Sequence, residues 1–275
     1  MIRVRQGETA LFVSDTHLSD AQPETGAAFL AALDRHAPGV THLFLLGDLF
    51  DAWVGDDVLA DPDCETIATA LVARLAALAA GGTTVHYLHG NRDFLLGVAP
   101  SPAPLGTAAQ ACTGFEARSG ARRLPDPCIL ELHGRRTVLA HGDTLCTDDT
   151  DYLAFRAQAR SPAWQAAFLA RPLAERLAAA RAMRNQSTRS KLDKPMALMD
   201  ATEDAVLALL RETDAELLIH GHTHRPARHE HRLGARVAQR WVLPDWDAAG
   251  SRGGLLLARE GGLLPLGAWP ASPAG

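Results

Sequence analysis

Short apolar runs that alternate with helix-like segments are the feature that most constrains the fold of this 275-residue chain. The strand-like runs cover residues 10–15, 41–48, 84–91, 128–133, 136–140 and 215–220, and the helix-like segments cover residues 24–35, 64–80 and 202–211. Strands that alternate with helices predict βαβ units and a largely parallel sheet. Gly134-Arg135 lies between two of the runs and predicts a β-hairpin. The stretch 236–266 is Gly-punctuated and also strand-like, whereas 97–127 is rich in Pro, Gly and Ala and predicts a long surface excursion.

Five of the strand-like runs end in polar residues of the types that bind metal ions. The motifs are Asp15-Thr-His17, Gly47-Asp48, Gly90-Asn91-Arg92-Asp93, His141-Gly-Asp143 and Gly221-His222-Thr-His224. The carboxyl ends of strands converge in an open α/β fold. Strand residues two apart, such as Asp15 and His17, also point to the same face. We therefore expect one site built from the potential ligands Asp15, His17, Asp48, Asn91, His141, His222 and His224.

Seven ligands are too many for one tetrahedral ion. They favour two ions about 3.5–4 Å apart that share a bridging carboxylate. Mixed nitrogen and oxygen ligands accept manganese, iron, cobalt or zinc, so the ligand types alone do not choose the ion. Any one of these motifs is common in loops or on surfaces. Five of them in order, each at the end of a predicted strand, indicate a metal site.

Charge and hydropathy exclude several other classes of protein. The chain has 27 Lys and Arg residues against 32 Asp and Glu residues, and its net charge of −5 disfavours general nucleic-acid binding. Its apolar runs fall short of the roughly 20 residues that span a bilayer. The first five residues lead directly into strand-like sequence without a signal-peptide core, so we expect a cytoplasmic protein. The four cysteines have no CxxC spacing and are expected to be reduced.

A basic segment interrupts this acidic chain. Residues 156–194 hold seven Arg, two Lys and only two acidic residues, for a charge of +7. Its lysines, Lys191 and Lys194, are the only two in the chain, and their retention favours a requirement for ammonium groups. Apolar side chains such as Trp164 and Phe168 share this helix-like segment, and Pro172 is expected to interrupt or restart the helix.

The order of the five motifs resembles that of the calcineurin-like metallophosphoesterases. More narrowly, four longer motifs resemble the UDP-2,3-diacylglucosamine hydrolases of lipid A biosynthesis, and the likeness covers roughly residues 8–250. They are GDLFDAWVGDD over 47–57, HGNRDFLLG over 89–97, HGDTLCTDD over 141–149 and IHGHTHRP over 219–226. The resemblance implies an α/β fold, a four-layer αββα sandwich. It also implies a single domain over 1–275 with a helical cap insertion at about 152–196.

The resemblance also implies roles for the ligands. One ion would be held by Asp15, His17, Asp48 and His224, and the other by Asp48, Asn91, His141 and His222, with Asp48 bridging. Manganese is the ion that the family suggests. The implied reaction hydrolyses the pyrophosphate bond of UDP-2,3-diacylglucosamine to UMP and 2,3-diacylglucosamine 1-phosphate, also called lipid X. A metal-bound hydroxide is expected to attack the α-phosphorus.

Arg92 and the basic segment receive roles in the same way. In the broad superfamily a His follows the Asn of the third strand and helps to protonate the leaving group, whereas Arg92 stands here. An Arg is always charged but can clamp phosphate oxygens, which suits a pyrophosphate. Arg92 and Asp48 are therefore the expected catalytic residues. The implied substrate contacts are Asn91, Arg92, Asp149, Ser187, Lys191, Lys194 and His222.

The motifs are compatible with other functions as well. The same fold could act on another nucleotide, a phosphoprotein or a nucleic acid, although the confinement of basic residues to one segment disfavours a nuclease. A metal-free scaffold is disfavoured because all seven ligand positions are filled. The cap could shelter acyl chains, dock on the anionic cytoplasmic face of the bacterial inner membrane, or do both. The stretch Leu243-Pro-Asp-Trp-Asp247 departs from the family, where a Trp-His pair can stand.

Overall fold

A computed structural model of the chain describes residues 1–61, 66–98, 114–193 and 200–269, with side chains given outside 185–193. The strands are β1 (Ile2–Val4), β2 (Ala10–Val13), β3 (His42–Leu46), β4 (Thr84–Leu88), β5 (Arg122–Arg123), β6 (Cys128–Leu132), β7 (Arg135–Leu139), β8 (Leu217–His220), β9 (Ala227–Leu233), β10 (Arg236–Val242), β11 (Gly253–Arg259) and β12 (Gly262–Ala268). The helices are α1 (Pro23–His36), α2 (Thr66–Ala80), α3 (Phe115–Ser119), α4 (Thr150–Ala159), α5 (Pro162–Leu169), α6 (Leu173–Asp193) and α7 (Glu203–Glu212).

The strands form two mixed six-stranded sheets, with orders β12-β11-β2-β3-β4-β5 and β1-β6-β7-β8-β10-β9. The pairs β2-β3, β3-β4 and β4-β5 are parallel, as the βαβ pattern predicted. The pairs β1-β6, β7-β8 and β8-β10 of the other sheet are parallel as well. The hairpins β6-β7, β9-β10 and β11-β12 and the pair β2-β11 are antiparallel, so both sheets are mixed. Tight turns can join only antiparallel neighbours.

Four layers result from the way the sheets bury their faces. One apolar cluster lies between the two sheets and includes Phe12, Phe44 and Ile219. A second lies between the first sheet and α1 and α2, and a third lies between the second sheet and α7. This is the αββα order that the motifs implied. Because β2 and β3 lie in the interior of their sheet and are covered on both faces, both read as continuous apolar runs.

The turn of the β6-β7 hairpin lies at His133-Gly134, one residue earlier than predicted, and Gly134 adopts φ 83° there. The described part of 97–127 agrees only in part with the expected surface excursion, because most of residues 114–127 are exposed or half-buried but α3 packs against the core. Phe115, at the start of α3, is fully buried, and its backbone N–H donates to Asp56 Oδ2 at 2.7 Å. An isolated apolar residue in a Pro- and Ala-rich segment gives no periodic signal, so this docking was not visible in the sequence.

The described part of the basic segment runs from the last turn of α4 through α5 and α6, and Pro172 lies between the last two helices. Arg176, which interrupts the leucines of α6, is only 2% exposed. Its guanidinium pairs with Asp57 and donates to the carbonyl of Val54 at 2.5 Å. This Arg therefore ties α6 to the loop that follows β3. Within the described ranges, each helix is too short or too polar to cross a membrane.

Candidate metal centre

All seven predicted ligands meet where the carboxyl edges of the two sheets adjoin. Asp15 and His17 follow β2, Asp48 follows β3 and Asn91 follows β4. The remaining three follow the strands β7 and β8 of the other sheet. Backbone hydrogen bonds join these loops in pairs. His17 N donates to Asp48 O at 3.0 Å, and the N–H of Gly221 donates to His141 O at 2.8 Å.

The motifs converge at the carboxyl ends of the strands, as expected, but the added expectation that alternation along a strand orients the pairs Asp15/His17 and His222/His224 was wrong. The strands end before the motifs begin, and five of the seven ligand residues adopt positive φ angles. These residues are Asp15 (φ 53°), His17 (φ 45°), Asp48 (φ 53°), His222 (φ 68°) and His224 (φ 53°). A positive φ angle is unfavourable for any residue other than glycine. Residues that nevertheless adopt one are concentrated at functional sites. Left-handed turns, and not a pleat, aim these side chains inward.

Glycine precedes three of the ligands because the loops pass very close to each other. A Cβ on Gly90 would lie 2.0 Å from Asp48 Oδ1, and one on Gly221 would lie 2.1 Å from Asp15 Oδ2. These distances are too short for a side chain of any kind. The glycines of the Gly-Asn and Gly-His motifs therefore permit the approach that brings the ligand atoms together.

The first group of ligands consists of Asp15, His17 and His224. Nε2 of His17 and Nε2 of His224 lie 3.2 Å apart, and Asp15 Oδ1 lies 3.4 Å from His224 Nε2. The carboxylate of Asp15 is fully buried, whereas the two imidazoles are partly exposed. The group is thus closed on its protein side and open to solvent through its histidines.

The second group consists of Asn91, His141 and His222. The side-chain oxygen of Asn91 lies 2.9 Å from His222 Nδ1 and 3.1 Å from His141 Nε2. His141 is fully buried, and its other ring nitrogen bonds to the carbonyl of Leu46 at 2.9 Å. The His-x-His motif therefore divides, because His222 belongs to this group and His224 belongs to the first.

Asp48 lies between the two groups. Its Oδ2 is 3.8 Å from His17 Nδ1, and its Oδ1 is 3.7 Å from His141 Nε2. Potential ligand atoms of Asp15, Asp48 and His141 all lie within 4.8 Å of one another, as do those of Asp15, His17 and His224. These two His/Asp clusters have the ligand types and the spacing of a dinuclear metal site.

The donor set fits divalent cations. Asp15 Oδ1 and His17 Nδ1 are buried without a hydrogen bond among the described residues, although such atoms normally have a partner. Burial alone would disfavour a charged imidazole at His141. The carboxylates of Asp48, Asp15 and Asp143 outweigh burial and raise the pKa of His141 to about 9. A site that stabilises a proton in this way also stabilises a cation bound in its place.

Two carboxylates that were not assigned a role from the sequence support these ligands. Asp93 is fully buried and accepts hydrogen bonds from the backbone N–H groups of Asp48 (3.3 Å), Leu49 (2.7 Å) and Gly90 (2.8 Å). Asp245 Oδ2 lies 3.4 Å from His224 Nδ1. The Asn-Arg-Asp motif contained the first of these residues. Asp245 lies in the stretch that departs from the family pattern, and that departure was the only feature of the sequence that drew attention to it.

Arg92 lies beside the carboxylate of Asp48. Its backbone N–H donates to Asp48 Oδ1 at 2.8 Å, and its guanidinium Nε lies 4.0 Å from Asp48 Oδ2. The guanidinium also donates to Asp51 Oδ1 at 3.0 Å. Arg92 thus presents a fixed positive charge at the rim of the ligand cluster.

Of the other predicted substrate contacts, only some have side chains that the structure describes. Asp149 is the N-cap of α4, where its side chain accepts from the N–H of Tyr152 at 3.2 Å. Ser187 and Lys191 belong to α6, in the part whose side chains are not given, and Lys194 lies outside the described residues. Their convergence on a phosphate stays a prediction.

Two mixed sheets with clustered His and Asp ligands at their carboxyl edge define a metallophosphoesterase. In agreement, the family model for calcineurin-like phosphoesterases matches residues 9–226. The chain is 46% identical to the UDP-2,3-diacylglucosamine hydrolase of Chromobacterium violaceum over 93% of this chain and 98% of that protein. It is 45% identical to the enzyme of that name from Chromohalobacter salexigens, over 86% of this chain and 89% of that protein. The chain therefore belongs to the UDP-2,3-diacylglucosamine hydrolase family of calcineurin-like phosphoesterases.

Proposed function

We propose that this chain hydrolyses UDP-2,3-diacylglucosamine to UMP and 2,3-diacylglucosamine 1-phosphate, a step of lipid A biosynthesis. The observation that carries the proposal is the nearly full-length similarity to UDP-2,3-diacylglucosamine hydrolases. The ligand cluster supports it, because hydrolysis of a phosphoanhydride needs concentrated positive charge and an activated water.

The two ions are assigned as the resemblance implies. Asp15, His17, Asp48 and His224 would hold the first ion, and Asp48, Asn91, His141 and His222 the second. When bound, the ions supply positive charge to phosphate oxygens and lower the pKa of water. Manganese is the proposed ion, in keeping with the mixture of imidazole and carboxylate ligands.

Arg92 would clamp the pyrophosphate. Its guanidinium is held next to Asp48 by Asp51, so it can offset charge that develops on phosphate oxygens during cleavage. It does not deliver a proton, because a guanidinium group stays protonated in proteins. That suits a leaving phosphate, which is stable as an anion, better than it suits an alkoxide.

The helices α4, α5 and α6 would act as a cap over the acyl chains, within a single domain. The ring of Trp164 stacks on Phe168 with centroids 4.9 Å apart and lies 5.9 Å from Phe94, two residues beyond Arg92. This apolar surface therefore begins next to the phosphate clamp. The basic residues of the same segment would favour contact with an anionic membrane surface on the cytoplasmic side.

The two lysines would contact the phosphate of the sugar, together with Asp149, Ser187 and His222. Remote contacts of this kind position the reacting bond, so their loss should lower kcat/KM without changing the metal content. The variant Lys191→Ala/Lys194→Ala should lose turnover of the lipid substrate and retain hydrolysis of a small chromogenic phosphodiester. An unchanged ratio of the two activities would contradict this role.

The test of the proposed function is a comparison of substrates with the purified protein and Mn²⁺. UDP-2,3-diacylglucosamine should be cleaved to UMP and the sugar 1-phosphate, with kcat/KM far above that for UDP-sugars without acyl chains. Preference for a simple nucleotide or a phosphoester would support the alternative phosphoesterase. Absence of hydrolysis in the presence of Mn²⁺, Co²⁺, Zn²⁺ and Fe²⁺ would contradict both.

A further inference from the structure

One side of α4 and its C-cap carries three groups that converge on a buried carboxylate beside the metal centre. Tyr152, Arg156 and Arg160 are spaced four residues apart, so their side chains project in nearly the same direction. Asp143 is fully buried, and its Oδ2 accepts from Tyr152 Oη at 2.5 Å and from Arg156 Nε at 2.7 Å. Arg160 Nη2 lies 3.6 Å from the same oxygen. A buried carboxylate needs such partners to offset its lost hydration, so α4 and Asp143 hold each other in place.

Arg156 also reaches the backbone of His141. Its Nη2 lies 3.5 Å from Asp126 Oδ2, and the other carboxylate oxygen of Asp126 accepts from the N–H of His141 at 3.2 Å. Asp143 itself is only two residues beyond His141. Through these two carboxylates, Arg156 fixes both sides of the short segment that carries this ligand.

The other two groups reach the remaining ligands of the second ion. Arg160 Nη2 donates to the carbonyl oxygen of Gly90 at 2.9 Å, and this residue directly precedes Asn91. The ring of Tyr152 stacks on the ring of His222, with centroids 6.1 Å apart and an interplanar angle of 27°. Each candidate ligand that is exclusive to the second ion is therefore contacted from α4, either directly or through one neighbour.

This support is one-sided. Among the residues that the structure describes, the hydrogen bonds, ion pairs and ring contacts of these three side chains do not extend to His17 or His224. Those two histidines are held from another direction, by Asp15 and Asp245. A change in these side chains of α4 should consequently alter metal affinity at the second ion position and not at the first.

We propose that Tyr152, Arg156 and Arg160, here called the α4 clamp, are positioning residues that set the affinity of the second metal position. The clamp belongs to the helical insertion, so it joins the segment assigned to the acyl chains to the ion held by Asn91, His141 and His222. Groups that orient metal ligands commonly change metal affinity by about 10–100-fold. The inference rests on the two-ion assignment, which the experiment below tests separately.

The experiment measures Mn²⁺ binding to the metal-free chain by isothermal titration calorimetry, without substrate. The unsubstituted protein should bind two ions. His224→Ala should leave only the second position and Asn91→Ala only the first. Arg156→Lys, Arg160→Gln and Tyr152→Phe are then added to each background. Gln158→Ala, at an exposed position of the same helix, is the matched control, and circular dichroism checks that each variant is folded.

The clamp predicts that Arg156→Lys and Arg160→Gln raise the Kd for Mn²⁺ at least tenfold in the His224→Ala background. The same changes should alter it less than twofold in the Asn91→Ala background, and Gln158→Ala should have no effect in either. Tyr152→Phe keeps the stacked ring and should have a smaller effect than the Arg changes. Equal loss in both backgrounds, or no loss in the first, would overturn the proposal. Binding of a single ion by the unsubstituted protein would instead contradict the two-ion assignment.

Discussion

Asp51 holds the guanidinium of Arg92, with Arg92 Nη1 3.0 Å from Asp51 Oδ1. The carboxylate of Asp51 is buried, and Arg184 of α6 pairs with its other oxygen. A single carboxylate therefore links the proposed phosphate clamp to the helical insertion. Because Arg92 also lies beside Asp48, the position of its charge depends on this contact.

The change Asp51→Asn should lower kcat/KM for UDP-2,3-diacylglucosamine about tenfold. A hydrogen bond to a charged group contributes about 1.5–3 kcal/mol, and 1.4 kcal/mol corresponds to a factor of ten. Steady-state kinetics measures the loss. Since Asp51 is expected to act through Arg92, the change should have little further effect in an Arg92→Ala background.

Asp34 provides the control for this prediction. It pairs with Arg74 at 2.9 Å on the exposed surface of α1 and α2, away from the metal centre. Asp34→Asn should leave the kinetics unchanged. Additive losses for Asp51→Asn and Arg92→Ala would mean that Asp51 acts independently of the clamp.

Asp48→Ala should reduce the metal content and abolish hydrolysis. The residue supplies an oxygen to each group of ligands, and its removal weakens both positions. Metal content after dialysis against Mn²⁺, measured by mass spectrometry, is the readout, with circular dichroism as the check on folding. A folded variant with two tightly bound ions and normal turnover is the result that would refute the bridging role.

Asp245→Ala should weaken the first metal position about 10–100-fold, because a carboxylate behind a ligating imidazole fixes the orientation and the basicity of the ring. The ion pair with His224 Nδ1 at 3.4 Å is the contact that would be lost. Mn²⁺ titration of an Asn91→Ala background, which isolates the first position, measures the effect. Asp247→Ala is the matched control, because its side chain shares the Arg252 contact of Asp245 and bonds to Ser251 in place of His224. Equal effects of the two changes on the Kd for Mn²⁺ would show that Asp245 has no specific role in the first metal position.

The sequence motifs were sufficient to predict which residues form the cluster and the class of fold. Five of the short apolar runs end in a distinctive polar motif, so the strand ends were visible even though several runs extended one to three residues beyond the strand. For example, the third run was extended to Asn91, whereas β4 ends at Leu88. The loops that carry the ligands begin at that point.

The orientation of the ligands and their supports were not predictable in the same way. The positive φ angles at Asp15 and His222 depend on contacts between loops that are far apart in the sequence. The α4 clamp depends on the docking of a helix against Asp143, and the spacing of Tyr152, Arg156 and Arg160 is equally compatible with a solvated surface. Such features require the packed fold because local sequence does not encode them.

The burial of His86 should make the free energy of unfolding depend on pH. It is buried, both ring nitrogens are without a hydrogen-bond partner among the described residues, and it stacks on Phe44 with centroids 4.8 Å apart. Burial, with smaller contributions from the charges of His42 and Arg122, lowers the pKa of His86 to about 4. In the unfolded chain the pKa is about 6.5. The stability contributed by the neutral ring is therefore complete above pH 6.5 and is lost as the pH falls toward 4.

His86→Phe should accordingly reduce the loss of unfolding free energy between pH 7 and pH 4.5 by roughly 2 kcal/mol. Urea denaturation of the metal-free protein across this range gives the measurement. The control is the same substitution at the partly exposed His36, the last residue of α1, which also replaces an imidazole by a phenyl ring. If the unfolding free energies of His86→Phe and the unsubstituted protein fell in parallel with pH, His86 would not be responsible for the loss of stability.

The central claim is that water attacks the phosphorus next to uridine within a metal centre built from these seven ligands. Hydrolysis of UDP-2,3-diacylglucosamine with Mn²⁺ in ¹⁸O-water, followed by mass spectrometry of both products, tests it most directly. The account predicts one ¹⁸O atom in UMP and none in 2,3-diacylglucosamine 1-phosphate, with no reaction by Asp48→Ala. Label in the sugar phosphate, or release of products other than UMP and the sugar 1-phosphate, would contradict it.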